Sequence, residues 1–221
     1  MMLFLAQRLQ ALRQLFSRDV RGSAPRCGHH ILRLWIACYI SFGLIACSQP
    51  PGGFNSIDIT GAEYAQAFEL RDSDGKPRKL SDFQGKAVLL FFGFTQCPDV
   101  CPTALTRAAA VKKQLGADGD KLAVIFVTID PERDSPAMLK DYTAAFDPSF
   151  VGLHGDLKTT AETAAAFRIF YSKVPTGASY TMDHTATSYV YDPKGRLRLA
   201  VSHSLGADAL ASDIRTLLKS N

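Results

Sequence analysis

The sequence is poor in the features that usually announce an enzyme. It has no Gly-rich phosphate loop, no Ser/His/Asp set and no paired carboxylates at a spacing suited to acid–base work, so nucleotide-dependent enzymes and hydrolases are set aside. It has no internal repeat and no low-complexity run. Its 16 Gly and 11 Pro are scattered without period among residues that are 47% hydrophobic, which excludes collagen, coiled coil and disorder. A basic surface is lacking too, although the net charge is +4. Six of the 25 basic residues (Arg8, Arg13, Arg18, Arg21, Arg26, Arg33) and one of the 21 acids (Asp19) fall in residues 1–47, leaving 19 basic and 20 acidic residues beyond them. Without a cationic footprint in the main part of the chain, nucleic acid is not a partner.

No apolar run reaches the roughly 20 residues of a membrane-spanning helix. The nearest is 31–46, ILRLWIACYISFGLIA, behind an Arg-rich stretch with no Lys. A charged region followed by a short apolar one is the pattern of a secretory signal. The run ends Leu44-Ile45-Ala46-Cys47 and continues Ser48-Gln49-Pro50-Pro51-Gly52-Gly53. This resembles the lipobox of bacterial lipoproteins, in which Cys47 would become lipidated and the Pro/Gly stretch would serve as a tether. The alternative is a short uncleaved anchor with Cys47 a bystander. The expected division is a leader over 1–46, a lipidated Cys and tether over 47–54, and one folded domain over 55–221.

Five cysteines is an odd number for an exported chain. Cys27 and Cys38 belong to the leader and Cys47 to the tether, which leaves Cys97 and Cys101. In an oxidising compartment that pair is either a disulfide or a protected metal site.

Strands are expected over Phe68–Lys76 (ending in a turn), Ala87–Phe94, Leu122–Ile129 and Val151–His154. Thr187–Tyr191 and Leu197–Val201 read as a hairpin about Asp192-Pro193-Lys194-Gly195. The runs AVLLFFGF and LAVIFVTI are continuous enough to be buried on both faces. Helices are expected from Pro102, with proline at the first helical position, from Ser135-Pro136 with Ser135 as N-cap, over Thr159–Phe167 and over Asp208–Lys219. This order predicts an α/β, thioredoxin-like fold: a mixed central sheet flanked by helices, with a C-terminal β-hairpin and helix.

Cys97 and Cys101 fall on the turn between a buried strand and a helix N-terminus. The partial positive charge and free N–H groups there favour thiolate, which is both a nucleophile for disulfide exchange and a ligand for soft metals. A structural staple and a thiol–disulfide oxidoreductase are the other readings of the pair.

The segment Phe92-Gly93-Phe94-Thr95-Gln96-Cys97-Pro98-Asp99-Val100-Cys101-Pro102-Thr103 resembles the signature of the Sco/SenC family. Thr128-Ile129-Asp130-Pro131-Glu132-Arg133-Asp134-Ser135-Pro136 is similar to a second block of that family, and Asp183-His184-Thr185 through Tyr189 to Asp192-Pro193-Lys194-Gly195 to a third. The resemblance covers roughly residues 60–219. It implies one copper ion held by Cys97, Cys101 and His184, a donor set that suits Cu(I) through two thiolates and Cu(II) with the added imidazole. It also implies delivery to the binuclear copper centre of cytochrome c oxidase, with the oxidase's copper-bearing subunit and other copper carriers as partners. The location would be the bacterial cell envelope, membrane-anchored and facing the periplasm. The implied role is a carrier rather than an enzyme. The alternatives are a thiol–disulfide reductase acting on the oxidase's copper-ligand cysteines, for which Cys97 and Cys101 would be the redox pair, and a periplasmic copper or redox sensor.

Around these residues, Met182 reads as packing and Asp183 as either an acceptor for the imidazole or an ordinary loop residue. His154 reads as a strand-end histidine and His203 as solvent-facing. Asp130, Glu132, Arg133 and Asp134 form a charged loop that either flanks the site, serves docking, or is simply solvated with Asp134 or Ser135 capping the next helix.

Overall fold

Two seven-residue runs, Ala87–Gly93 and Leu122–Thr128, are buried at every position. Successive strand residues face opposite sides, so only a strand with a packed layer on each face does this. The computed structural model describes residues 53–220. The leader with Cys27, His29, His30 and Cys38, and the lipidation candidate Cys47, lie outside the described residues.

In chain order the elements are β1 (Ile57–Asp58), β2 (Glu69–Asp72), β3 (Pro77–Lys79), β4 (Ala87–Gly93), α1 (Val100–Leu115), β5 (Leu122–Thr128), α2 (Pro136–Ala144), β6 (Val151–His154), α3 (Leu157–Ala166), β7 (Tyr171–Thr176), β8 (Ser179–His184), β9 (Ser188–Tyr191), β10 (Leu197–Val201) and α4 (Ala207–Lys219). Eight strands form one sheet in the order β1-β10-β9-β4-β5-β6-β2-β3. β4, β5 and β6 run parallel and the remaining pairs antiparallel. This is the expected thioredoxin-like arrangement, with the hairpin β9–β10 and helix α4 closing the domain. Among the described residues no helix is long and apolar enough to cross a membrane.

Amphipathic spacing accounts for the helical layer. On α4 the buried residues Leu210, Ala211, Ile214 and Leu217 recur at three- and four-residue steps, and this helix packs against α1. Asp213 is the polar exception on that face. Its buried carboxylate accepts from the backbone N–H and side-chain amide of Asn55 and from the N–H and hydroxyl of Ser56, clasping the start of the domain to its last helix.

The structure differs locally from the sequence reading at three places. Helix α1 begins at Val100, with Asp99 as N-cap, so Pro102 is the third helical residue rather than the first. The first four helical N–H groups have no partner within the helix, so the missing donor is tolerated there as well. Leu80–Phe83, assigned to no strand or helix above, is a 3-10 turn. Finally, β7 and β8 pair as a separate two-stranded sheet where no strands were expected.

β4 ends at Gly93, under the first turn of α1. A Cβ at this position would lie 2.7 Å from Cys101 Sγ and 2.8 Å from a Phe126 ring carbon, closer than atoms pack, so hydrogen is the side chain that fits. Gly93→Ala should therefore destabilise the protein by about 1–3 kcal/mol through overpacking, measured by urea unfolding. An unchanged midpoint would contradict this packing.

Candidate metal centre

Cys97 precedes the N-cap of α1 by two residues and Cys101 sits in the helix's first turn. The unpaired N–H groups of that turn therefore face the sulfurs: the Cys101 backbone N–H donates to Cys97 Sγ at 3.4 Å. Cys97 is half-buried, whereas Cys101 is fully buried, and both are free thiols. The pair shares one proton. The Cys101 thiol donates to the Cys97 sulfur and holds Cys97 well below the ordinary thiol value, against the opposing pull of burial, with His184 and the backbone N–H groups of Asp99 and Cys101 adding to the effect. The same shared proton, together with burial, pushes Cys101 far up. One thiolate forms readily here and the second only when something other than a proton takes its place.

His184 enters from elsewhere. It ends β8, opposite Tyr171 of β7, and the hairpin base is fixed by Thr185 N–H donating to the Phe170 carbonyl and Phe170 N–H donating to the Thr185 hydroxyl. The separation of 83 positions is closed by the fold to a contact of 3.7 Å between Cys101 Sγ and His184 Nε2. One donor atom from each of Cys97, Cys101 and His184 lies within 4.8 Å of the others. His184 Nδ1 stands 3.0 Å from the Thr185 carbonyl. A carbonyl only accepts, so Nδ1 carries the hydrogen in that bond and Nε2 is the ring nitrogen turned toward the sulfurs. The rings of Phe91 and Phe94 stand edge-to-face against the imidazole at 6.0 and 5.9 Å, walling it with apolar surface. Two soft sulfurs and an imidazole nitrogen converging in a partly desolvated corner fit a soft or borderline metal ion.

The neighbouring residues sort as follows. Thr185 supplies the acceptor for the imidazole. Asp183 is exposed and makes no hydrogen bond to His184 among the described residues. Met182 is core. His154 ends β6 and His203 lies in the loop after β10, both half-buried rather than solvent-facing, and neither belongs to the cluster.

The charged loop after β5 is solvated only in part: Glu132 is exposed, whereas Asp130 and Asp134 are 1% and 2% exposed. Ser135 caps α2 by accepting from the Met138 N–H. Asp134 instead turns toward the cysteine loop and accepts from the Thr95 N–H at 3.0 Å and from the hydroxyls of Thr95 and Thr128 at 2.6 Å. Burial raises its carboxyl above the usual range, partly offset by those bonds. Gly93 and the aromatic wall are contributors that the sequence did not assign to the site, whereas Asp134 was one of the residues offered as flanking it.

The SCO1/SenC family model matches residues 58–219. The mouse mitochondrial SCO2 homologue is 36% identical over 152 residues, covering 67% of this chain and 60% of that protein, so the chain spans about three fifths of the length of that relative. An SCO2-like protein of Rickettsia felis is 32% identical over 163 residues, covering 72% of this chain and 80% of its own. Among solved structures, Bradyrhizobium japonicum ScoI with copper bound is 41% identical with a TM-score of 0.62, covering 67% of this chain and 96% of that one. Yeast Sco1 with copper bound is 32% identical with a TM-score of 0.64, covering 70% and 88%. The family model spans nearly the whole of the described domain, and the chain belongs to the SCO1/SenC family.

Proposed function

We propose that this protein is a copper carrier that holds one copper ion through Cys97, Cys101 and His184 and passes it on during assembly of the binuclear copper centre of cytochrome c oxidase. The observation that carries the proposal is the convergence of two sulfurs and one imidazole nitrogen, 83 residues apart in sequence, to within 4.8 Å. The copper-bound ScoI and yeast Sco1 relatives support copper as the cargo. The leader-like residues 1–46 and Cys47 support export and attachment to a bacterial membrane, with the folded domain facing the periplasm and an oxidase subunit or another copper carrier as its partner.

Binding follows from the protonation of the pair. Cys97 is already poised as thiolate, and copper takes the place of the proton that keeps Cys101 neutral, so loading releases protons. Two thiolates satisfy Cu(I), and His184 Nε2 completes a set that also holds Cu(II). Release follows from burial. Cys97 and His184 are half-exposed and Cys101 is enclosed, so an acceptor's ligands replace the outer two first and the Cys101 sulfur lets go last.

A second reading has support from the same thiols. A half-exposed sulfur of lowered pKa backed by a buried one suits disulfide exchange, in which Cys97 attacks and Cys101 resolves. In that case the protein would reduce the copper-ligand cysteines of the oxidase. His184 separates the two roles, because exchange needs only the cysteines.

Two outcomes are expected. In anaerobic titration, the reduced protein binds one copper tightly. Cys97→Ala and Cys101→Ala abolish binding and exchange together, whereas His184→Ala weakens copper binding and leaves reduction of a model disulfide largely intact. Equal loss of both activities in His184→Ala would contradict the assignment. In the metal-free reduced protein, iodoacetamide at pH 6, well below the ordinary thiol pKa of about 8.5, should alkylate Cys97 and spare Cys101. Equal labelling, or labelling that begins only above pH 8, would show that the pair does not share its proton in this way.

A further inference from the structure

The hairpin that delivers His184 has little hold of its own. β7 and β8 form a sheet apart from the main one, and Met182 is the only buried residue in either strand. Tyr180 lies four residues before His184 on β8, about 13 Å along a strand. A shift of the hairpin at Tyr180 is therefore carried to the imidazole.

The side chain packed against Tyr180 is Arg133, from the loop between β5 and α2. Its Nε donates to the Asp130 carboxylate. Its Nη1 donates to the Tyr180 carbonyl at 2.7 Å and to Gln96 Oε1 at 3.2 Å. The guanidinium stacks 3.7 Å above the Tyr180 ring and stands 5.9 Å from the centre of the Phe94 ring, the ring that touches His184. The Tyr180 hydroxyl donates back to Asp130 at 2.8 Å, and Lys173 of β7 pairs with Glu132. One planar cation thus touches the hairpin at Tyr180 and the cysteine loop at Gln96, the neighbour of Cys97. Its anchor, Asp130, is 1% exposed. A guanidinium can stack on a ring while donating in several in-plane directions; an ammonium cannot.

We propose that Arg133 is a positioning residue for the metal site: it clamps the β7–β8 hairpin to the cysteine loop at the separation from which His184 reaches a metal held by the two thiols. The proposal rests on the Cys97–Cys101–His184 reading and goes beyond it, because Arg133 touches none of the three donor atoms. A residue that only stabilised the fold would act on copper binding whether or not His184 were present. A positioning residue acts through His184 alone.

The test is a double-mutant cycle on Cu(II) binding to the reduced protein, with Arg133→Gln, His184→Ala and the two combined, alongside amide hydrogen exchange of the metal-free proteins. Arg133→Gln should weaken Cu(II) binding by roughly 10–100-fold, the usual effect of removing a ligand's supporting partner. It should also move the thiolate-to-Cu(II) absorption toward that of His184→Ala. In the His184→Ala background the same substitution should change affinity by no more than about twofold. Arg133→Lys, which keeps the charge but not the planar fork, should restore little. In the metal-free Arg133→Gln protein, exchange should quicken across residues 171–184 while α1 and β4 stay protected.

Wild-type affinity in Arg133→Gln, the full penalty persisting without His184, or unchanged hairpin exchange would each overturn the clamp. If His184→Ala itself bound Cu(II) like wild type, the ligand assignment would fall instead, and hairpin exchange would still decide the clamp. Should Arg133→Gln lose protection throughout the molecule, Tyr180→Leu opens the same joint from the hairpin side and takes its place in the cycle, with the same results expected and the same results fatal.

Discussion

Two thiols and an imidazole brought into one partly desolvated corner cannot satisfy one another with hydrogen bonds alone. Thiols are weak donors, and here the Cys101 backbone N–H reaches Cys97 Sγ while the imidazole Nε2 stands 3.7 Å from Cys101 Sγ. Much of the surrounding structure serves to keep that arrangement in place. Gly93 leaves the space into which the Cys101 sulfur fits. The first turn of α1 supplies backbone N–H groups to Cys97. The Thr185 carbonyl fixes the imidazole tautomer, and Phe91 and Phe94 limit the approach of water. A soft cation relieves the conflict at once by replacing the proton, which makes the corner a binding site rather than a packing defect.

Holding the corner requires three distant stretches of chain to meet. The cysteine loop follows β4, the charged loop follows β5 and the histidine hairpin lies beyond α3. The two loops are neighbours because β4 and β5 are parallel partners whose ends coincide, so Asp134 reaches Thr95 directly. The hairpin has no place in the main sheet, and its attachment falls to its base at Phe170 and Thr185 and to the contacts of Asp130, Glu132 and Arg133. Two buried carboxylates in a charged loop are costly unless each is paired or hydrogen-bonded. Asp130 meets Arg133 and the Tyr180 hydroxyl, and Asp134 meets two threonines. The price of burying the loop is offset by the precision it gives the donor atoms.

The fold was largely legible in the sequence because its central strands announce themselves. Continuous apolar runs such as Ala87–Phe94 have few alternatives to a strand covered on both faces, and the turn signal Asp192-Pro193-Lys194-Gly195 lies where β9 turns into β10. The β7–β8 hairpin was not legible, for a physical reason. Its strands bury only Met182, so no two-residue hydrophobic alternation marks them, and Pro175 argues against a strand interior. The three donor residues were legible through chemistry and resemblance, but their meeting was not, since nothing local ties His184 to residue 101. The charged loop was open to three readings because sequence does not reveal which charges are buried. Burial of Asp130 and Asp134 decides for the reading in which it flanks the site. The acceptor for His184 was not legible: backbone carbonyls such as that of Thr185 are invisible to residue types, and of the two readings open for Asp183 the ordinary exposed residue is the one found, on a strand rather than a loop.

Within this account the carrier and reductase readings share the same two sulfurs and differ in whether the imidazole is a ligand. X-ray absorption at the copper edge of the loaded Cu(II) protein addresses that difference directly. The account predicts two sulfur scatterers and one histidine nitrogen per copper, with the histidine signal lost in His184→Ala. A shell with no histidine contribution in the wild-type protein, or one unchanged by His184→Ala, would contradict it.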